Sequence, residues 1–271
     1  KAIVTGGAGF IGSNLVDELV KLKCKVTVID NLSTGQLKNL SKSNSKIKFV
    51  KLDISKKSKK LEKICKNVDW VFHLAGLADI VPSIKEPKKY FDANVSGTLN
   101  ILEACRKNKI KKFIYAATAS CYGLPNKFPT SEKSLIDTQY PYAMTKYLGE
   151  KLVMHYAKIY NMPNISFRFF NVYGPRSRTT GAYGAVFGVF FAQKLSNKPL
   201  TIVGDGKQTR DFIHVYDLVS AIIKTAKSKL KNKIYNLGSG KEVSVNKIAK
   251  LIGGKQISIP KRPGEPDRSC A

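Results

Sequence analysis

Cysteine and histidine are scarce in this chain, which has 271 residues but five cysteines and three histidines. The cysteines lie far apart, at Cys24, Cys65, Cys105, Cys121 and Cys270, so their spacing indicates neither a disulfide framework nor a structural zinc site. We therefore expect no metal ion in the protein. Unpaired thiols are typical of the reducing cytoplasm, which is the compartment we expect.

Long apolar runs are missing as well. None reaches the roughly 20 residues that a membrane-spanning helix needs, so we expect no membrane span. The chain starts inside its first expected strand, at Lys1-Ala2-Ile3. From this we expect no signal peptide and a few residues trimmed at each end.

Acidic residues are few, with 19 Asp and Glu against 47 Lys and Arg, and the net charge is +28. Nucleic-acid binding is one explanation, and a solvated lysine surface is the other. Seven of the basic residues are Arg and the rest are scattered Lys, whereas specific readout of nucleic acid favours Arg. We therefore predict a solvated surface that attracts small anions, and no specific nucleic-acid partner.

Short β-branched segments alternate with helix-length amphipathic segments through the first 170 residues. This alternation predicts an α/β fold, a Rossmann-like doubly wound parallel sheet with right-handed crossovers. The expected strands are 2–5, 25–30, 47–52, 69–74, 112–117 and 165–170, and the expected helices are 11–22, 92–107 and 142–160. We expect residues 1–170 to form the dinucleotide-binding domain. Residues 171–271 would form a smaller substrate-binding lobe, with some interleaving of the chain and an incomplete C-terminal end.

The segment from Thr5 to Gly12 carries glycines at positions 6, 7, 9 and 12, between the first strand and the first helix. Glycine allows the tight turn and lets the backbone approach a pyrophosphate, which the helix N-terminus then stabilises. Asp30, at the end of the second strand, is placed to accept hydrogen bonds from a ribose diol and to repel a 2′-phosphate. The cofactor expected is therefore NAD. Asp53 follows the next strand, and two roles are equally good for it: a contact with the adenine, or an ordinary Asp at the end of a strand.

Tyr142 and Lys146 are four residues apart, on one face of an expected helix. A free tyrosine has a pKa near 10 and is a poor base at neutral pH. An ammonium one turn away, together with the positive nicotinamide ring, would lower that pKa. The pair therefore predicts proton transfer from a sugar hydroxyl beside the nicotinamide.

Taken together, these motifs resemble the extended short-chain dehydrogenase/reductase family, in its NAD-dependent epimerase/dehydratase branch. The resemblance covers nearly the whole chain, including His73-Leu74-Ala75-Gly76 and residues 168–175, 210–215 and 262–265. The last three blocks are typical of enzymes that use nucleotide sugars. The resemblance therefore implies an NAD-dependent enzyme acting on a nucleotide sugar.

The resemblance also implies a role for each matching residue. The implied cofactor contacts are Gly6, Gly9, Phe10, Ile11 and Gly12 for the pyrophosphate, Asp30 and Asn31 for the ribose, Asp53 and Ile54 for the adenine, and Leu74, Ala75, Gly76 and Asn94 beyond them. Tyr142 would be the base, Lys146 its modulator, and Thr118 the hydroxyl that binds the reacting sugar. The implied substrate contacts are Asn171, Arg210 and Arg262 for the diphosphate, Glu265 for the ribose and Ser269 at the N-acetyl pocket.

The residues after Thr118 select among the reactions of this branch. Its 4,6-dehydratases carry Asp-Glu directly after that Thr, and its decarboxylases carry Glu at the position of Ser120. Here Ala119 and Ser120 supply no acid, so the resemblance favours a 4-epimerase that oxidises C4 transiently to a ketone. UDP-glucose and UDP-N-acetylglucosamine both fit the small Ser269, and uronic acid sugars stay open.

Two other functions remain as alternatives. One is a nucleotide-sugar reductase or another ketosugar-forming member of the branch, and the other is a non-catalytic, basic nucleic-acid-binding protein on the same scaffold. The resemblance implies a homodimer that pairs helices 92–107 and 142–160 of each copy. The residues that would form its apolar stripe, or equally a core face, are Leu99, Leu102, Leu148, Leu152 and Tyr156.

Overall fold

The computed structural model describes residues 1–179, 186–260 and 267–271, which contain twelve strands and nine α-helices. The strands are β1 (Ala2–Thr5), β2 (Val26–Asp30), β3 (Ile47–Lys51), β4 (Trp70–His73), β5 (Lys112–Thr118), β6 (Asn164–Phe169), β7 (Asn171–Tyr173), β8 (Leu200–Val203), β9 (Thr209–His214), β10 (Lys233–Leu237), β11 (Glu242–Ser244) and β12 (Gln256–Ile259). The helices are α1 (Phe10–Lys21), α2 (Lys59–Ile64), α3 (Ile80–Lys85), α4 (Pro87–Phe91), α5 (Gly97–Lys107), α6 (Pro141–Tyr160), α7 (Val186–Leu195), α8 (Val215–Lys227) and α9 (Val245–Ile252).

Seven parallel strands form the central sheet, in the order β10-β6-β5-β4-β1-β2-β3. β1 lies between β2 and β4, with Thr5 opposite both Ile29 and His73. The carboxyl ends of these strands therefore share one edge, which is where doubly wound sheets bind their ligands. The predicted Rossmann-like fold is confirmed.

Both faces of the central sheet are buried, as β1 illustrates. Val4 joins a core with Leu15 of α1 and Ile222 of α8, whereas its neighbour Ile3 joins a second core with Leu102 of α5. Adjacent residues of a strand point to opposite faces, so a sheet covered on both sides needs unbroken apolar runs. Burying each such side chain contributes about 1.5–3 kcal/mol of transfer free energy.

The expected strands agree with the observed ones to within one residue at each end. The expected helix 92–107 is interrupted, because Asp92–Ser96 forms a π-helical turn before α5 begins at Gly97. A π turn adds one residue to the helical repeat and is usually a local feature of functional regions. Nothing in the apolar pattern of the sequence indicates it.

After β6 the chain forms two smaller sheets, β11-β9-β7 and β12-β8. Phe190 of α7, Ile202 of β8 and Ile248 of α9 share a separate small core. β10 then returns to the central sheet, where Tyr235 lies beside Phe167 of β6. The division of the chain at residue 170 stays a prediction, because the second part contributes a strand to the first.

Within the described ranges, no helix combines the length and the apolarity that crossing a bilayer requires. The same part of the chain has no group of three or more His, Cys, Asp or Glu side chains placed to hold a metal ion. All five cysteines are free thiols.

Candidate active site

The turn between β1 and α1 is built from glycines that leave no room for a side chain. Gly6 has a φ of +68°, and a Cβ there would lie 2.7 Å from the backbone nitrogen of Ala75. A Cβ on Gly12 would clash with the carbonyl oxygen of Gly6. α1 follows directly, and its N-cap residue, Gly9, has no side chain to cap the helix. The backbone N–H groups at the positive end of the helix are therefore left for a ligand. This cradle fits a pyrophosphate.

Asp30 is held beside the glycine turn. Its side chain is buried, with Oδ2 accepting a hydrogen bond from the Ala8 backbone nitrogen at 3.0 Å and Oδ1 from Leu32 at 2.8 Å. Two N–H donors thus fix a carboxylate at the end of β2. A fixed carboxylate there accepts from a ribose diol and repels a 2′-phosphate, which favours NAD over NADP.

A cleft of about 1560 Å³ follows the carboxyl edge of the sheet. It is lined by most of the residues predicted for the cofactor, namely Gly6, Gly9, Phe10, Ile11, Gly12, Asp30, Asn31, Asp53, Ile54, Leu74, Ala75, Gly76, Tyr142 and Lys146. The Asp53 carboxylate is partly committed to its own turn, where Oδ1 accepts from the backbone nitrogen and hydroxyl of Ser55 at 3.0 and 2.8 Å.

Asn94 lies outside this lining and behind it. Its side chain is 1% exposed, accepts from the backbone nitrogen of Leu77 at 2.8 Å, and donates to the Leu77 carbonyl and to the Thr145 hydroxyl. Asn94 therefore ties the segment after β4 to α6. Its predicted contact with the cofactor stays a prediction.

His73 is a core residue rather than an open ligand. Its two ring nitrogens are hydrogen-bonded to the hydroxyls of Thr5 and Thr98, at 2.7 and 2.9 Å, and the side chain is fully buried. Burial lowers the pKa of His73 to about 3, with a smaller effect from the charge of Lys146. The ring is therefore neutral at physiological pH.

Tyr142 and Lys146, one turn apart on α6, both face the cleft. Thr118, the last residue of β5, lies close enough to Tyr142 for its side chain to lower the tyrosine pKa. The Lys146 Nζ atom lies 4.4 Å from the centre of the Tyr115 ring and 3.5 Å from the point where a Cβ on Gly76 would stand. The three residues predicted to be catalytic are thus brought together.

Burial acts in opposite directions on the pKa values of this pair. It lowers the pKa of Lys146 to about 7, against the raising effect of the Glu150 charge. It raises the pKa of Tyr142, against the lowering effect of the hydrogen bond to Thr118. The sequence predicted a lowered pKa for Tyr142, but among the chain's own groups the cost of desolvating the phenolate dominates. That prediction also relied on the positive nicotinamide ring, which the chain does not supply.

Two charged residues that the sequence analysis did not single out lie near Tyr142. Asp79, the N-cap of α3, and Arg178, in the segment after β7, both line the cleft, and Oδ2 of Asp79 lies 2.6 Å from Nη1 of Arg178. The Asp79 charge raises the pKa of Tyr142, and it acts on Tyr90, whose pKa burial raises to about 12. The one signal in the sequence was that Arg is rare in this lysine-rich chain.

Two of the residues predicted to bind the substrate contact the backbone of Asp211. The Asp211 backbone donates from its nitrogen to the Ser269 carbonyl at 2.7 Å and accepts at its oxygen from the Asn171 amide at 3.1 Å. Arg210 is its neighbour on β9. These residues do not line the cofactor cleft. They form a second cluster, and their contacts with substrate stay predictions.

The Asp211 carboxylate organises this cluster. It is fully buried and accepts hydrogen bonds of 2.6 to 3.0 Å from three backbone nitrogens, those of Ser239, Gly240 and Ala271. The hydroxyl of Ser239 donates to it as well. Asp211 therefore fixes the segment that ends at Ala271. The other two predicted substrate residues, Arg262 and Glu265, lie outside the described residues.

Glu150 and Arg168 form a buried ion pair behind the catalytic helix. Arg168 donates from Nη2 to Glu150 Oε1 at 2.6 Å, and its Nη1 donates to the Tyr122 hydroxyl at 2.8 Å. The Ser166 hydroxyl donates to Glu150 Oε2 at 3.0 Å. Since Glu150 follows Lys146 by one turn of α6, the pair locks the catalytic helix onto β6.

A sequence model of the NAD dependent epimerase/dehydratase family matches residues 2–238. The chain is 40% identical over 245 residues to a putative UDP-glucose 4-epimerase of Methanocaldococcus jannaschii, an alignment that covers 90% of this chain and 78% of the relative.

Solved structures give the same result. The UDP-N-acetylglucosamine 4-epimerase from Methanobrevibacter ruminantium M1, solved with UDP-N-acetylmuramic acid, superposes with a TM-score of 0.95 at 35% identity, covering 100% of this chain and 88% of that one. The UDP-glucuronic acid 4-epimerase from Bacillus cereus, solved with UDP-glucuronic acid and NAD, superposes with a TM-score of 0.90 at 32% identity, covering 100% and 89%. The chain belongs to the NAD dependent epimerase/dehydratase family.

Proposed function

We propose that the protein is a nucleotide-sugar 4-epimerase that uses NAD and acts on a UDP-sugar. The observation that carries this proposal is the placement of Tyr142 and the buried Lys146 one turn apart on α6, both lining the cleft that begins at the glycine cradle. The similar 4-epimerases of UDP-sugars support the same reaction class.

Each catalytic residue has a definite task in this proposal. Thr118 orients the 4-hydroxyl of the sugar, and Tyr142 accepts its proton. The glycine cradle and Asp30 would hold NAD, which would supply reversible hydride transfer at C4. Lys146, whose pKa burial lowers to about 7, lies one turn along α6 and would exchange a proton beside Tyr142 near neutral pH.

The residues around Thr118 supply no acid for the competing reactions of the family. Loss of water or of carbon dioxide requires a further group that transfers a proton, and Ala119 and Ser120 follow Thr118. Ser120 instead accepts a hydrogen bond from the Thr118 hydroxyl at 3.1 Å and donates one to it from its backbone nitrogen. Asp79 is the nearby carboxylate, and Arg178 holds it.

The nucleotide end of the substrate is assigned to the cluster around Asp211. Asn171, Arg210 and Arg262 bind the diphosphate, Glu265 the ribose, and Ser269 borders the pocket for the sugar. Arginine suits this task because its planar guanidinium offers paired donors to phosphate oxygens. The contacts of Asn171 and Ser269 with the Asp211 backbone support the assignment.

The proposed assembly is a homodimer formed through α5 and α6. Leu102 and Tyr156, two members of the predicted apolar stripe, are buried within the chain. Leu99 of α5, Phe91 of α4 and Met144 of α6 remain 40%, 46% and 47% exposed, and a second copy would cover them. The free thiols agree with a cytoplasmic location.

Two measurements test the proposed function. The purified protein is expected to contain NAD, and it should interconvert UDP-glucose with UDP-galactose, or the N-acetyl pair, without consuming added NADH. The variant Tyr142→Phe is expected to keep its NAD but to lose on the order of 10²–10⁴-fold in kcat, which is the usual contribution of general base catalysis. A requirement for stoichiometric NADH would indicate a reductase, and full activity in Tyr142→Phe would rule out the catalytic assignment.

A further inference from the structure

The ion pair between Asp79 and Arg178 lines the same cleft as the catalytic tyrosine. Asp79 stands at the start of α3, whereas Arg178 follows β7, and the two residues are 99 positions apart. Both side chains line the cleft, and both charges act on Tyr90, as does Tyr142. The pair therefore belongs to the wall that surrounds the reacting end of the substrate.

Sugar geometry brings this wall next to one particular substituent. If the 4-hydroxyl meets Tyr142, then C3 and C5 are the adjoining ring atoms. C3 carries a hydroxyl in all of these sugars, whereas C5 carries the C6 group, which differs among them. The C6 group is a neutral hydroxymethyl in hexoses and N-acetylhexosamines, and a carboxylate in uronic acids. A charge at C6 would therefore interact electrostatically with Asp79 and Arg178.

The charge arrangement disfavours a carboxylate there. Asp79 is about one-third exposed, at 35%, so its field is only partly screened. Arg178, the cation that would attract a carboxylate, already donates to Asp79. An incoming uronate must either displace Asp79 from Arg178 or lie beside a like charge.

We infer that the Asp79–Arg178 pair is a charge filter that makes this site select UDP-sugars with a neutral C6 group over UDP-uronic acids. The inference rests on the proposed function, since it assumes that a UDP-sugar places its C4 at Tyr142. Asp79 repels a carboxylate at C6. It also forms an ion pair with Arg178, so this guanidinium is not available to a substrate carboxylate. The two residues thus determine specificity without taking part in proton transfer.

Binding is the direct readout, and it is measured on the NAD-containing protein by equilibrium dialysis with UDP-glucose and UDP-glucuronic acid. The ratio of the two dissociation constants cancels the contribution of the shared nucleotide. Asp79→Asn is expected to shift this ratio about a hundredfold towards UDP-glucuronic acid, as for unit charges roughly 6 Å apart near a protein surface. Arg178→Gln is expected to shift it in the opposite direction, and Arg178→Lys to leave it within about twofold.

Controls separate this local effect from the field of a protein with a net charge of +28. Glu62, on α2, forms an exposed ion pair with Lys107 of α5. Glu62→Gln removes the same charge as Asp79→Asn and is expected to leave the ratio of dissociation constants unchanged. Asn keeps the size of Asp79, whose side chain makes no cap bond in α3, so Asp79→Asn is expected to fold. Melting curves of each variant verify this, and Asp79→Ser provides a second neutral variant.

The outcomes of this experiment distinguish the two proposals. An unchanged ratio in both Asp79→Asn and Asp79→Ser, or an equal shift in Glu62→Gln, overturns the charge filter while epimerisation of UDP-glucose still supports the function. A shifted ratio without epimerisation of any UDP-sugar overturns the function and leaves the filter. Failure to bind either UDP-sugar overturns both.

Discussion

Glu150→Gln removes the charge from a buried ion pair while it keeps the size of the side chain. The side chains of Glu150 and Arg168 are 2% and 4% exposed, so the substitution leaves a guanidinium without a counter-charge out of reach of water. Breaking such a pair costs about 3–5 kcal/mol of unfolding free energy. Glu103→Gln is a matched control, because Glu103 also pairs with an arginine, Arg106, but with side chains 37% and 36% exposed. We expect that exposed pair to contribute less than about 1 kcal/mol.

Thermal unfolding in saturating NAD measures the difference. For a chain of this size each kcal/mol shifts Tm by roughly 2–4 °C, so we expect Glu150→Gln to lower Tm by about 10 °C and Glu103→Gln by less than about 4 °C. Adding Arg168→Met to Glu150→Gln should recover part of the loss, because no unpaired charge then remains buried. If the two single variants lose equally little, the buried pair does not stabilise the fold as we argue.

Three further predictions concern the cofactor, pH and the substrate cluster. Gly12→Ala should abolish copurification of NAD, since the new methyl group meets the Gly6 carbonyl oxygen. Gly240→Ala strains the backbone at a φ of +72° but lies away from the cleft, so it should keep the cofactor; absorbance of the heat-released nucleotide reports both. The folded pKa of His73, about 3, lies below its ordinary value of 6.5, so its contribution to stability is full above pH 6.5 and is lost as the pH falls towards 3. Urea midpoints measured from pH 7 to 4 should therefore fall less steeply in His73→Gln, and identical slopes would contradict this account. Asp211→Asn should raise KM for the UDP-sugar about tenfold with kcat and NAD content little changed, because an amide cannot accept all of the N–H groups that the carboxylate binds; an unchanged KM would count against its organising role.

Local chemistry explains what the sequence predicted well. The strands were recognisable because a sheet covered on both faces requires unbroken apolar runs such as Ala2–Thr5. The glycine cradle was recognisable because positions such as Gly6 and Gly12 admit no side chain. The spacing of Tyr142 and Lys146 fixed them on one helical face, and the resemblance supplied Thr118.

The features that the sequence did not predict depend on contacts between distant segments. Glu150 of α6 pairs with Arg168 of β6, and Asp79 pairs with Arg178, 99 positions further along the chain. No regular spacing of residues in the sequence indicates either pair. The direction of the Tyr142 pKa followed from burial, which is a property of the completed fold. The role of Asn94 likewise became visible only when its buried amide could be matched to its partners on two other segments.

The return of β10 to the central sheet has a consequence for how the protein gains and loses its structure. The chain leaves the central sheet after β6 and re-enters it at β10, which pairs with β6. The excursion between them therefore begins and ends at two neighbouring strands. Were the excursion deleted together with β10, β6 would become a bare edge and Phe167 would lose the ring of Tyr235, which lies 6.0 Å away. We therefore expect the part with the glycine cradle and the part with the Asp211 cluster to unfold in one cooperative transition.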